Sequence, residues 1–426
     1  MTVEHRPLRI TKILARLAIL VLLGFGTLAG ARPMPAAAGG TLNVGVTAPF
    51  TGGSALIGTH FVRGVEAAVW DINHNGGVLG NNFNVVRADD QGDAADGVAA
   101  INKLLAIDQP VAVFGPSSDT ATAVVPIINR SQIVDWCLCG TTQLDRMTWK
   151  YIYRPTPGDS LQGSALAFWA HKKGFTRAAF VFNSDTGSQT LVSPVLSTFN
   201  SLGGKASINI KLLPDQSSYR SEVQQVLNSH PQVIFSEMDP PTAATFFSEE
   251  LQLGGKLLPS IQSDSAAGAD FYNAIKKTVG AKLATTFITV MSVYSPTTPG
   301  SDEFLHAYHQ VYPGQAPLEF NTNGYDAMNI SALAMLESKS TTPSVWISKI
   351  ASVTGDAKLV HVATFAQGKQ AILAGKSVYY AGATGPITFN QFHNSSGNFE
   401  ATAFTTDGSL RQLGTMPAQV LQQFVH

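Results

Sequence analysis

Residues 41–73 read TLNVGVTAPFTGGSALIGTHFVRGVEAAVWDIN, and the change of rhythm inside this stretch decides the fold class. Leu42 to Val46 is a short apolar run with β-branched members. A Gly-rich loop holding Thr51, Gly52, Gly53 and Gly58 follows, and then Phe61, Val62, Val65, Ala68, Val69 and Ile72 recur at helical spacing. The segment reads as strand, loop, helix. Downstream, Gly76-Gly77 stops the helix, Phe83 to Arg87 alternates as a strand, and Asp93 caps a helix bearing Val98, Ile101, Leu104 and Leu105. Val111 to Phe114 is a continuous apolar strand. Gly115-Pro116-Ser117-Ser118-Asp119, a helix to Asn129 and a strand over Ile133 to Cys139 complete the unit. Strands that are apolar throughout and alternate with helices imply a parallel sheet covered on both faces.

The rhythm restarts after Pro155-Thr156-Pro157-Gly158, with helices over 161–172, 191–202 and 219–228 and strands over 178–182, 206–212, 233–236 and 257–261. Helices near 302–312, 324–336 and 362–373 must be shared between two lobes, because no long linker separates the halves. A chain of 426 residues also exceeds what one hydrophobic core usually holds. The expected class is therefore α/β, with two doubly wound parallel-sheet lobes joined by several short hinge crossings. Ligands of such sheets sit outside the carboxyl ends of the strands, here the loops 47–58, 115–119 and 139–143.

The charge balance is 28 basic against 29 acidic residues, which excludes the clustered basic excess of a nucleic-acid binder. Residues 1–38 carry Arg6, Arg9, Lys12 and Arg16, then an apolar run from Leu17 to Leu28 that is short for a membrane span, then Ala-x-Ala sites at 29–31 and 36–38. This layout predicts a signal peptide and cleavage into a periplasmic space, an uncleaved anchor being the alternative. No cysteine follows for lipid attachment. Without that segment the chain has 23 basic and 28 acidic residues and is mildly acidic.

Catalytic signatures are missing: no Gly-x-Ser-x-Gly, no His-Glu-x-x-His and no phosphate loop. No catalytic residue is assigned. His306 and His309, three apart with no third ligand, read as a solvated helix face, so no metal or cofactor is assigned either. Cys137 and Cys139 share a strand face and read as two buried thiols, with a disulfide as the sharper alternative in an oxidising compartment.

Five pieces in order carry a resemblance: residues 47–53 (TAPFTGG), Ile72-Asn73 with 76–80 (GGVLG), 89–93 (DDQGD), 114–118 (FGPSS) and 384–389 (TGPITF). They resemble the leucine/isoleucine/valine-binding type of periplasmic substrate-binding protein that serves ABC importers, a type I periplasmic binding fold, over about 42–404. The resemblance implies one lobe from 41–160 plus 291–385 and the other from 161–290 plus 386–426. It also implies hinge closure on a small amino-acid-like or related polar solute, permease and ATPase partners at the membrane, a monomer and no cofactor. The alternative is a ligand sensor of the same fold.

Candidate ligand residues follow from both kinds of reading. Ser117, Ser118 and Asp119 open a helix, where free N–H groups and the dipole suit a ligand carboxylate, although capping alone is the plainer reading. The resemblance assigns the second carboxylate loop to Cys139, Gly140, Thr141 and Thr142 and the ammonium partner to Asp264. A buried carboxylate needs such a cation. An ionised Asp119 would repel an incoming carboxylate unless it points away. Ile57, Thr186 and Asp239 stand where the family commonly places rings, and Asp239 beside Asp264 would favour a cationic or hydroxyl-rich ligand. Tyr325, in Asn323-Gly-Tyr-Asp, matches a motif of that family and is a further candidate for the cleft wall, an ordinary core tyrosine being the alternative.

Overall fold

The computed structural model describes residues 39–51, 55–293, 298–318, 320–355 and 358–425, and the side chains of Leu56 and Ile57 are outside the described set. The proposed export segment, 1–38, lies outside the described residues. Among those described, no helix is long and apolar enough to cross a membrane.

The first sheet runs in the order β2-β1-β3-β4-β5, from β1 (Thr41–Ala48), β2 (Asn82–Asp89), β3 (Ala112–Phe114), β4 (Val134–Trp136) and β5 (Ile152–Tyr153). All four pairings are parallel. Helices α1 (Ala55–His74), α2 (Ala94–Lys103) and α3 (Ser118–Arg130) connect these strands. Asp93 caps α2 as its position predicts, accepting from the backbone nitrogens of Ala95 and Asp96. The strand expected over Ile133 to Cys139 ends at Trp136, because the chain turns there into the loop that lines the cavity described below.

The second sheet has seven strands in the order β15-β14-β10-β9-β8-β6-β7. Its parallel part is β6 (Arg177–Asn183), β7 (Lys205–Leu212), β8 (Val233–Glu237), β9 (Ser260–Gln262) and β10 (Phe287–Ser292). β11 (Val360–Val362), β12 (Val378–Gly382) and β13 (Gly385–Pro386) form a small third sheet, while β14 (Phe399–Phe404) and β15 (Leu410–Met416) add to the second antiparallel, so that sheet is mixed rather than wholly parallel. Its connecting helices include α4 (Asp159–Lys172), α5 (Thr186–Ser201), α6 (Arg220–Asn228), α7 (Pro240–Gly254) and α8 (Ala269–Val279).

Separate cores follow the two sheets. One joins Val44, Phe61, Phe114 and Trp136 to Tyr325, Met328 and Leu333 of the late helix Asn321–Ser338 and to Tyr380. Two more lie on the two faces of the second sheet, around Phe180, Phe199 and Phe235 and around Phe246, Phe247, Phe271 and Phe287, and smaller clusters around Ile101, Leu104 and Val113 and around Val125 and Cys137 belong to the first. The late helix packs so closely on α1 that a Cβ on Gly64 would collide with the carbonyl of Asn321.

The chain passes from one sheet to the other after β5, after β10 and before β14. Arg154, fully enclosed at 2% exposure, knots two of these passages together. Its Nε donates to Asn394 Oδ1 at 2.8 Å, and its guanidinium donates to the carbonyls of Cys139, Gly140 and Thr141 and to Asp145. Tyr153 and His393 stack alongside, their ring centroids 4.1 Å apart.

Candidate functional site

A cavity of about 300 Å³ opens where the carboxyl ends of both sheets meet. From the first lobe it is lined by His60 of α1, by Ser117, Ser118 and Asp119 at the start of α3, and by Leu138 and Gly140. From the second it receives Asp159 and Gln162 of α4, Asn183 ending β6, Asp185 and Gly187 at the start of α5, Glu237 ending β8, Asp239 before α7, and Asp264 and Asp270. Phe320 adds an aromatic ring. Its backbone is left-handed, φ 62°, which a bulky residue adopts at some cost.

Ser117 is the N-cap of α3, but its hydroxyl makes no capping bond and has no hydrogen-bond partner in the protein, although the residue is only 7% exposed. Plain capping therefore does not account for it. Ser118 Oγ accepts from the backbone nitrogens of Gly140 and Thr141 at 3.0 and 3.3 Å, so the helix start and the second loop are tied to each other. Asp119 does point away from its own helix: it accepts from the Gly187 nitrogen at 2.8 Å and from the Thr186 nitrogen, capping α5 across the cleft. Burial, reinforced by neighbouring Asp185, lifts its carboxyl to about 6. A second contact spans the gap between His60 Nε2 and Asp270 Oδ2 at 3.8 Å. Burial lowers the imidazole pKa, and Asp270 opposes that shift.

The second-lobe wall is acidic. Asp264 opens a single helical turn after β9, and burial raises it to about 6 against hydrogen bonds from Gln162 and the backbone. Asp159 is pushed up to about 7, chiefly by burial and against a bond from Thr190. Glu237 stands well above the usual carboxyl range, first through burial and then through Asp159 and Asp264. Asp239 caps α7 through the Thr242 nitrogen and accepts from Asn183 Nδ2 at 2.6 Å. The described residues lining the cavity include no Lys or Arg.

The cavity thus brings together Ser117, Ser118, Asp119, Gly140, Asp239 and Asp264 of the expected residues. Four others do not line it. Thr141 is buried, its hydroxyl accepting from the Gln143 nitrogen, and Thr142 follows it into a short turn. Thr186 is exposed and contributes its backbone nitrogen to Asp119. Tyr325 is fully buried in the first-lobe core, with its hydroxyl donating to Asp71 Oδ2 at 2.7 Å. Its neighbour Asp326 gives the motif a different role, accepting from Tyr380, Ala383 and Thr384 and so anchoring the 382–386 turn. The side chain of Ile57 lies outside the described residues. Asp159, Glu237, Asn183, His60 and Phe320 were not anticipated. Asp159, Asn183 and Glu237 lie at strand or helix ends facing the crevice, the position from which doubly wound folds bind ligands.

The two cysteines are bonded to each other, correcting the reading as buried thiols. Their Cα atoms are 5.3 Å apart, within bridging range, with both side chains on one side of the chain.

Such a cleft, formed by two nucleotide-fold-like lobes and lined from both, defines a solute-binding protein, and residues 41–385 place the chain in the periplasmic binding protein family. It is of the type that includes the Leu/Ile/Val-binding proteins. It is 25% identical over 328 residues to the Leu/Ile/Val-binding protein homolog 7 of Brucella abortus, covering 72% of this chain and 78% of that one. It is 23% identical to the chemotactic signal transduction system substrate-binding protein BasB of Halobacterium salinarum, over 82% and 84%. An amino acid binding protein of Pseudomonas aeruginosa is 25% identical over 45% of this chain, which spans 52% of that protein's length. The fold is that of the leucine binding protein LivK of Thermotoga maritima, with TM-score 0.74 at 18% identity over 89% of this chain and 99% of the other. It is also that of an R. palustris ABC transporter solute-binding protein in complex with benzoate, TM-score 0.73 at 18% identity, over 89% and 97%.

Proposed function

We propose that the chain is the extracytoplasmic solute-capturing component of an ABC importer, which holds a small polar, amino-acid-like solute between its lobes and presents the closed form to a permease. The observation that carries this reading is the cavity of about 300 Å³ lined from both lobes, with Asp119–Gly187 and His60–Asp270 spanning it. A solute that contacts both walls binds the closed form better than the open one and draws the lobes together by that difference. Ser117, Ser118, Asp119, Gly140, Asp239 and Asp264 are the proposed contacts. The hinge lies at the passages between 41–160 plus 291–385 and 161–290 plus 386–426, and the chain acts as an exported monomer. We assign it no catalytic step.

A sensing role is the second reading, favoured by the likeness to BasB along most of both chains. Native mass spectrometry of the purified protein identifies the solute. Uptake of that solute by cells lacking this chain then separates the readings: lost uptake supports import, whereas unchanged uptake with a lost behavioural response supports sensing. Chemical alteration of the solute by the purified protein would overturn both.

A further inference from the structure

We propose that the solute is a small organic cation bearing amino or guanidinium groups and no carboxylate, held by Glu237, Asp159 and Asp264 together with the buried polar atoms Ser117 Oγ and Asn183 Oδ1. The inference rests on the solute-binding reading above and narrows its ligand class.

The protein gives these three carboxyl groups little positive charge: Arg154 acts on Asp159 from a distance, and its own ion-pair partner is Asp145. Their direct hydrogen-bond partners are neutral: Ser263 for Glu237, Thr190 for Asp159, and Gln162 with backbone nitrogens for Asp264. The described lining residues include no Lys or Arg, and the one imidazole, His60, faces Asp270. Several carboxylates enclosed together without a cation are costly, and a bound cation offsets that cost. Asn183 Oδ1 is an independent sign of a missing donor, and Ser117 Oγ, a hydroxyl that can accept or donate, is a sign of a missing partner. Ser117 and Asn183 are only 7% and 3% exposed, both line the cavity, and Ser117 Oγ and Asn183 Oδ1 have no hydrogen-bond partner in the protein. Buried polar atoms of this kind are normally satisfied.

The cation is organic rather than a metal ion, since among the described residues no three His, Cys, Asp or Glu side chains are grouped to hold one. Phe320, packed on the first-lobe core, supplies a ring to the same cavity, against which an alkylammonium or guanidinium group can rest. A ligand carboxylate, by contrast, finds the second loop of its expected receptor in use. The Gly140 and Thr141 nitrogens are given to Ser118, and the Asp119 carboxylate occupies the same end of the cleft.

Calorimetry on the exhaustively dialysed protein with agmatine, putrescine, leucine, benzoate, inositol and calcium chloride tests this, alongside native mass spectrometry of the undialysed protein. Agmatine or putrescine should bind at least 10-fold more tightly than the other probes. Glu237→Gln and Asp264→Asn, each checked for an intact melting transition, should weaken the amine at least 10-fold. At pH 6 the measured enthalpy should change with buffer, because the bound cation displaces protons from the carboxyl groups. Binding of leucine, benzoate, inositol or calcium with the amines silent would overturn the cation and leave a solute-binding protein standing. Unaltered amine affinity in both variants would also overturn it, as would a carboxylate-bearing solute in the mass spectrum. Silence of every probe with no co-purifying solute would overturn the solute-binding reading, and this inference with it.

Discussion

Asp119 Oδ1 accepts the backbone hydrogen of Gly187 at 2.8 Å, so the first turn of α3 in one lobe caps the first turn of α5 in the other. The bond crosses the cavity between the lobes. It places a carboxylate on the positive end of a helix that belongs to the opposite wall.

Replacing that carboxylate should loosen closure. A hydrogen bond involving a charged group contributes about 1.5–3 kcal/mol. Asp119→Ala should therefore lower affinity for the native solute by roughly 10-fold or more, and raise the solute-free radius of gyration in small-angle scattering. An unchanged radius with unchanged affinity would show that the bond does not hold the lobes.

The buried acids predict how stability varies with pH. Asp119 and Asp264 titrate at about 6 and Asp159 at about 7 in the folded chain, each raised by burial. In the unfolded chain such groups titrate near 4. Between those values the native state holds more protons than the unfolded state, so stability falls as pH rises through about 4 to 7. Asp71 and Glu250, raised to about 6 and about 7 outside the cavity lining, add to the same slope. The melting temperature at pH 5 should exceed that at pH 7.5, and a melting temperature that climbs across this window would contradict the assignment of buried protonated acids.

Arg154 should be intolerant of change. Removing it strips charge from Asp145 and donors from Asn394 and from the carbonyls of 139–141. Losing one partner of a buried ion pair costs about 3–5 kcal/mol. Arg154→Ala should unfold at correspondingly lower urea, and Arg154→Lys should recover little, because a single ammonium cannot reproduce the fork of the guanidinium. Denaturation midpoints close to the parent's would show that the knot is dispensable.

The cysteine pair gives a simple chemical count. Denatured, unreduced protein should yield no titratable thiol, and two after reduction. Because the bridge joins residues only two apart, the chain entropy it removes from the unfolded state is small. Reduction should therefore shift the melting temperature little, and a large shift would assign the bridge a structural role beyond its own loop.

The βα rhythm from Thr41 onward, the two sheets and the crevice loops were legible because apolar periodicity and Gly-Pro punctuation are local properties. The start of α3 and the Asp264 turn were legible too, the first from its loop and the second by resemblance. Tyr325 takes the core alternative, and sequence alone leaves the choice open because a motif marks that a residue matters without saying whether it faces a cleft or a core. Asp326, beside it, holds the turn at 382–386, a contact across more than fifty residues. Glu237 and Asp159 carried no motif. Each is an ordinary acid at an element boundary until the two sheets are set edge to edge.

The order of strands and helices, and with it a doubly wound fold with crevices at the strand ends, was thus written in the chain itself, since hydrophobic spacing and turn residues act over a few positions. The charge of the cavity belongs to the folded molecule alone. Asp159, Glu237 and Asp264 lie far apart along the chain, and their mutual repulsion, their burial and the lack of a lining Lys or Arg arise only when packing brings them to one wall.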